Sequence, residues 1–196
     1  MSSYRPICDV WILARPKVKY WGAYPNGFLE RARALLGVTP FDAVLHVCGG
    51  MAREYPAKPR GFGPNDKTLD LDASLKPDFL QPATDPLPCQ KHNGSARNCL
   101  RHPQFHGCGW AALLADPPYT ERDAEQYSPG RAAFPGANQI LRNMLEAVRP
   151  GGRVGMLHYV LPQPPSAGVR FVACVGVIAG YNNRMRCFSV FEREAA

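Results

Sequence analysis

Apolar residues in this chain come in short runs, each cut off by proline or glycine. The runs CDVWILA (Cys8–Ala14), FDAVLHVCGG (Phe41–Gly50), TLDLD (Thr68–Asp72) and WAALLA (Trp110–Ala115) have strand length. They predict β-strands, buried where the apolar run is continuous. RVGMLHYVLP (Arg153–Pro162) predicts another strand. VRFVACVGVIAG (Val169–Gly180) and RCFSVFERE (Arg186–Glu194) predict two more around the turn residues YNNR, and residues 77–88 hold a further short strand. Helical spacing shows twice. Phe28, Ala32, Leu35 and Leu36 share a face within Asn26–Gly37, where Asn26 is a candidate N-cap and Gly37 a stop. Ile140, Leu141, Met144, Leu145 and Val148 share a face within Asn138–Gly152, closed by Pro150 and Gly151. Residues 51–67 are broken by Pro56, Pro59, Gly61, Gly63 and Pro64, which leaves room for a turn or two of helix. Cys89–Gly109 is polar and has no clear period.

Strands alternate with helices through the middle, and two strands close the chain as a hairpin. This order predicts an α/β fold: a Rossmann-like, mostly parallel sheet with an antiparallel C-terminal hairpin at its edge. No internal repeat or long linker divides the chain. Residues 1–196 are read as one domain, with a small Cys/His-rich insert at 86–109.

Composition narrows the partners. Hydrophobic residues make up 45% of 196, a globular value. No apolar run approaches the ~20 residues of a membrane span, and Val10–Ala14 is too short for a secretory signal, so a cytoplasmic, non-membrane protein is expected. Seven cysteines, an odd number, favour free thiols or metal ligands over a disulfide framework. A net charge of +7 favours a polyanionic partner.

Three stretches carry chemistry. VLHVCGG ends a strand in a glycine turn, where backbone approaches a ligand closely; a simple turn is the plainer reading. Asp70 ends the next strand, placed to accept hydrogen bonds from ribose hydroxyls, or merely to face solvent. LADPPY ends a buried strand in Asp116-Pro117-Pro118-Tyr119. Two prolines stop the ladder there and stiffen the backbone. That is either a strand terminator with a surface tyrosine, or a rigid mount for an acid and an aromatic ring.

In this order and spacing, with VRPGGRVGMLHY after them, these stretches resemble the class I S-adenosylmethionine-dependent methyltransferases over most of the chain. DPPY is similar to the catalytic motif of those that methylate exocyclic amines of nucleobases. LHVCGG, TLDLD and LADPPYT are similar to stretches of small phage and prokaryotic DNA adenine methyltransferase-like proteins. The resemblance implies S-adenosylmethionine as cofactor and Asp116, Pro117, Pro118 and Tyr119 as catalytic residues. It implies His46, Cys48, Gly49, Gly50, Asp70 and Asp85 at the cofactor, with Tyr20 and Gly22 from KVKYWGAYPNGF over its methionine end. The chemistry agrees. An exocyclic amine is a weak nucleophile until its hydrogens are held and its lone pair localises, and a base out of its stack needs an aromatic platform. The chain also departs from the family pattern. His46 stands where an acid is expected, Cys48 and Ala52 where glycines are common, and Pro82 where Asp85 is the nearest acid.

The implied reaction is methylation of DNA, with adenine N6 favoured. The alternatives are an RNA base amino-methyltransferase acting on guanine N2 or adenine N6, and a non-catalytic zinc-loop module that binds nucleic acid. Cys89, His92, Cys99, His102, His106 and Cys108 lie within 20 residues, with two Cys-x2-His pairs. Such spacing can close a tetrahedral zinc site, or belong to an exposed polar loop with incidental thiols. The insert also carries Lys91, Arg97 and Arg101 and no acid, so it is a candidate for phosphate contact. His158, at a strand end, is a candidate proton shuttle, and Arg184 and Arg186 candidate phosphate ligands.

Overall fold

The structure is a computed structural model. It describes residues 5–15, 24–54, 61–92, 94–101, 108–127, 134, 136–180 and 184–195. Among these, the strands are β1 (Ile7–Leu13), β2 (Val44–Val47), β3 (Lys67–Asp70), β4 (Phe79–Leu80), β5 (Trp110–Ala115), β6 (Val148–His158), β7 (Val169–Ala179) and β8 (Met185–Arg193). They form one sheet in the order β1-β7-β8-β6-β5-β2-β3-β4. Every pairing is parallel except those of β8, which runs antiparallel to both β6 and β7. The helices are α1 (Phe28–Leu36), α2 (Ala96–Arg101), α3 (Glu121–Tyr127) and α4 (Ala137–Ala147).

The run WAALLA is apolar throughout because β5 is central and covered on both faces. Trp110, Leu113 and Ala115 face the core shared with α4, and Ala112 and Leu114 face the core shared with α1. The stretch β4-β3-β2-β5-β6 reads as a doubly wound sheet whose order reverses between β2 and β5. In such sheets the ligand crevice opens outside the carboxyl ends of the strands at the reversal. Here those ends are Cys48-Gly49-Gly50 after β2 and Asp116-Pro117 after β5, joined by the Asp116 N–H donating to the Val47 carbonyl at 3.4 Å.

Several expectations change in detail. The closing hairpin is not the edge of the sheet: β1 pairs in parallel outside β7, from Ile7↔Ala173 to Leu13↔Ala179. Asn26 does not cap α1. Gly27 holds that position in the left-handed region (φ 80°), and the Asn26 amide donates to the Arg15 carbonyl beyond β1 instead. Gly37 does stop α1, at φ 68°. Pro150-Gly151-Gly152 is not a turn between helix and strand. β6 begins at Val148, and the residues between its pairings with Trp110 and Ala112 form a bulge. Two short helices, α2 and α3, lie where no helix is expected.

Arg33 of α1 is pinned by a buried ion pair. Its guanidinium lies 2.7 Å from Asp66 and donates to the carbonyls of Thr39 and Asp42. Asp66 also accepts from the Val44 and Gly63 N–H groups and from His46 Nε2 at 3.1 Å. Burial opposes the Asp66 charge, but these donors hold its carboxyl below the usual range.

Candidate active site

Three strand tips meet at the reversal point. After β2 the chain turns through Cys48 (φ 53°), Gly49 and Gly50 (φ 48°). Gly49 has no room for a side chain: a Cβ there would stand 2.9 Å from the His46 carbonyl oxygen. Its N–H donates to the Leu69 carbonyl, tying the turn to β3. At the tip of β3, one oxygen of Asp70 accepts from the Gly50 N–H at 2.9 Å and the other from the Asp72 N–H at 3.1 Å. Each oxygen keeps lone pairs for further donors such as a diol. Burial pushes the Cys48 thiol well above its usual value, and the charges of Asp70 and Asp116 push it further. It therefore stays a neutral, apolar lining between the two acids.

Asp116 follows the last residue of β5. One of its oxygens accepts from the Tyr119 hydroxyl; the other, Oδ2, is buried and has no hydrogen-bond partner among the described residues. Burial lifts its pKa to about 6, against the pull of the Arg186 charge and the Tyr119 hydrogen bond. Proline at 117 and 118 leaves no N–H beside this oxygen to satisfy it. Arg186, at the start of β8, donates to the Tyr119 hydroxyl at 3.2 Å and lies 5.5 Å from the ring centroid. Tyr159 packs against the same ring at 4.5 Å and His158 meets it edge-on at 5.4 Å. The Val160 N–H donates to His158 Nδ1, which places the ring proton on Nε2. Burial lowers the His158 pKa, offset in part by the Pro118 carbonyl. His158 is thus a neutral ring that buttresses Tyr119.

The structure brings together Cys48, Gly49, Gly50, Asp70, Asp116 and Tyr119, with Pro117 and Pro118 as their rigid link. His46, expected on the cofactor turn, is buried and bound to Asp66. It replaces a cofactor acid with a link in the Arg33 network. Asp85 is exposed, and its carbonyl accepts from the side chain of Asn143 on α4 at 3.1 Å rather than standing with the strand tips at the reversal. Tyr20 and Gly22 lie outside the described residues. Tyr159 and the contact of Arg186 with Tyr119 were not foreseen; Tyr159 follows the end of β6 and Arg186 lies on β8, both far along the chain.

S-adenosylmethionine fits the chemistry of this crevice: a crowded glycine turn, an acid with free lone pairs at the next strand tip, and an apolar lining. Gly49, Gly50, Asp70 and Cys48 are the residues that could hold it.

The Cys/His insert is elsewhere. Cys108 lies two residues before the first residue of β5, whereas Asp116 follows the last. Six extended residues put the two ends about 20 Å apart. The cluster of Cys89, His92, Cys99 and Cys108 therefore does not share the Asp116 end of the sheet. Cys89, His92, Cys99 and Cys108 place their donor atoms within 4.8 Å of one another; His102 and His106 lie outside the described residues. Burial raises the thiols, but the backbone N–H groups of Lys91 and His92 and the His92 ring bring Cys89 down to about 6, while burial and Cys89 push Cys99 up to about 11.

No protein-family model and no curated protein sequence matches the chain. Solved structures do resemble it. TrmN from Thermus thermophilus is 19% identical, with a TM-score of 0.46 over 84% of this chain and 48% of its own. N-methyltransferase NodS from Bradyrhizobium japonicum is 8% identical, with a TM-score of 0.46 over 87% of this chain and 99% of its own. An rRNA methylase from Streptococcus thermophilus is 8% identical, with a TM-score of 0.44 over 84% and 95%. The chain spans about half the length of TrmN. These likenesses are remote, and the fold stands on strand order and register: a mostly parallel, Rossmann-like sheet with its crevice at the β2–β5 reversal.

Proposed function

We propose that this protein is an S-adenosylmethionine-dependent methyltransferase that acts on an exocyclic amino group of a nucleobase in DNA, with adenine N6 favoured. The observation that carries this reading is the buried Asp116 Oδ2 at the reversal point, unpartnered among the described residues and beside a tyrosine held by an arginine. A buried carboxylate oxygen without a donor is costly unless a substrate supplies one. An exocyclic amine has the N–H to supply. Accepting it leaves the nitrogen lone pair free to leave conjugation with the ring, and the fixed acceptor needs no reorganisation during reaction. The Pro117 carbonyl is a second acceptor with no N–H in competition. Tyr119, braced by Tyr159, His158 and Arg186, is the platform for a base taken out of its stack.

When bound, S-adenosylmethionine supplies an electrophilic methyl group. The rest is holding and orienting by this chain's own residues. Zinc belongs to the reading as a second group, in the insert and outside the chemistry. The insert is short and basic, so weak sequence selectivity, or help from a partner, is expected.

The test is transfer of labelled methyl from S-adenosylmethionine to double-stranded DNA, single-stranded DNA and total RNA, followed by digestion to nucleosides. Label in N6-methyladenine from DNA, absent with Asp116→Ala, is the expected result. Label only in RNA nucleosides would move the substrate to RNA. No label, from protein that binds S-adenosylmethionine, would refute the nucleobase reading.

A further inference from the structure

We infer that Cys89, His92, Cys99 and Cys108 bind one zinc ion in a closed tetrahedral site that braces the foot of β5. The inference rests on the zinc part of the function proposed above and is independent of methyl transfer. Its ground is geometric. His92 Nδ1 lies 3.8 Å from Cys89 Sγ, 3.7 Å from Cys99 Sγ and 3.3 Å from Cys108 Sγ. Zinc bonds of about 2.3 Å to sulfur and 2.05 Å to nitrogen at the tetrahedral angle require N···S edges of about 3.6 Å. Three sulfurs thus stand around one ring nitrogen at the edge length of a zinc tetrahedron.

Local structure prepares the site. The Lys91 N–H folds back to donate to Cys89 Sγ at 3.5 Å, within the tight Cys-x2-His turn. The Cys89 N–H donates to the Gly94 carbonyl and the Ala96 N–H to the Leu87 carbonyl, closing a small loop on Pro88↔Ser95. That loop delivers Cys99 on α2. Cys108 enters through Gly109, held at φ 87° with Leu100 and Arg149 3.0 Å from where its Cβ would be. The three cysteines are buried in the core around Trp110, and His92 faces out. Trp110 Nε1 donates to the Pro88 carbonyl at 2.8 Å, so the loop that carries Cys89 is fastened to the first residue of β5.

Four protein donors leave no open position, which marks a structural ion rather than a catalytic one. Binding releases the thiol protons to solvent, up to three per ion, and leaves a net charge of −1 on the site. Lys91, whose charge reaches Cys108, stands beside it.

The experiment measures metal in the full chain purified without chelators. About one zinc per chain is expected, retained in Asp116→Ala and in the double variant His102→Ala/His106→Ala. Cys99→Ser and Cys108→Ser should each lose at least tenfold. Because those variants can fail to fold, cobalt replacement in the parent chain supplies a second reading. Strong visible ligand-field bands with thiolate charge transfer in the near ultraviolet would support four-coordinate thiolate binding. Zinc below about a tenth per chain after zinc-supplemented purification, weak octahedral cobalt spectra, or zinc retained by both serine variants would overturn the site. Zinc lost from the double histidine variant would overturn the ligand set. Full zinc without methyl transfer would sink the proposed reaction and leave this inference standing.

Discussion

Replacing Asp116 by asparagine keeps the shape of the side chain and removes its charge. Burial lifts the Asp116 pKa from the ordinary 3.8 to about 6. The folded chain therefore holds this proton more tightly than the unfolded chain, and the ionised carboxylate opposes folding above about pH 6. The opposition fades as pH falls through 6 towards 3.8. Between those two values lies about 3 kcal/mol at pH 8 and about half of that at pH 5. Both figures are already net of the Arg186 attraction and the Tyr119 hydrogen bond, which enter the folded pKa. Asp116→Asn should thus be the more stable protein by up to about 3 kcal/mol at pH 8, while losing methyl transfer. Urea unfolding followed by tryptophan fluorescence at pH 8 and pH 5 reads this as a raised midpoint at unchanged slope. No gain at pH 8, or a gain that grows on acidification, would refute the argument that the site holds a destabilised carboxylate ready for a donor.

Arg186→Gln removes the charge that pulls the Asp116 pKa down, so the acidic limb of the pH profile of kcat/KM should move above about pH 6; a limb that stays in place counts against Arg186 as the positioning charge. Asp66→Asn leaves the buried Arg33 charge uncompensated and should cost about 3–5 kcal/mol in urea unfolding at pH 7. Folding lowers the Asp66 pKa, so this contribution is present above the ordinary carboxylate value of 3.8 and lost as pH falls through the lowered one. A gap that vanishes already at pH 5 would contradict the assignment.

Strands buried on both faces were plain in the sequence, since continuous apolar runs such as WAALLA have few other uses. The helix α4 was equally plain from its stripe. The helix α3, ERDAEQY, was hidden because it is polar throughout and has no stripe; its one signal was Thr120, whose hydroxyl accepts from the Asp123 N–H. The helix α2 was masked by cysteines and arginines that answer to the insert rather than to a helical period. At the site, Asp116 and Tyr119 were legible because DPPY is a local signal. Arg186 on Tyr119 was not, because it depends on β8 inserting between β6 and β7. Nor was the fate of His46, whose partner Asp66 sits in a stretch with no strand or helix of its own.

The placement of β1 has a consequence for how the chain is made. Its partner β7 is about 160 positions later, so at typical elongation rates of 5–20 residues per second β1 waits on the order of 10–30 s for it. During that wait its whole edge is unpaired, and Val10 and Ile12 remain 55% and 77% exposed even in the finished sheet. An unpaired apolar strand is an open template for other chains. The β1 edge of the sheet therefore cannot be completed until strands made about 160 positions later are available, and the vulnerable interval of this protein is the delay between their syntheses.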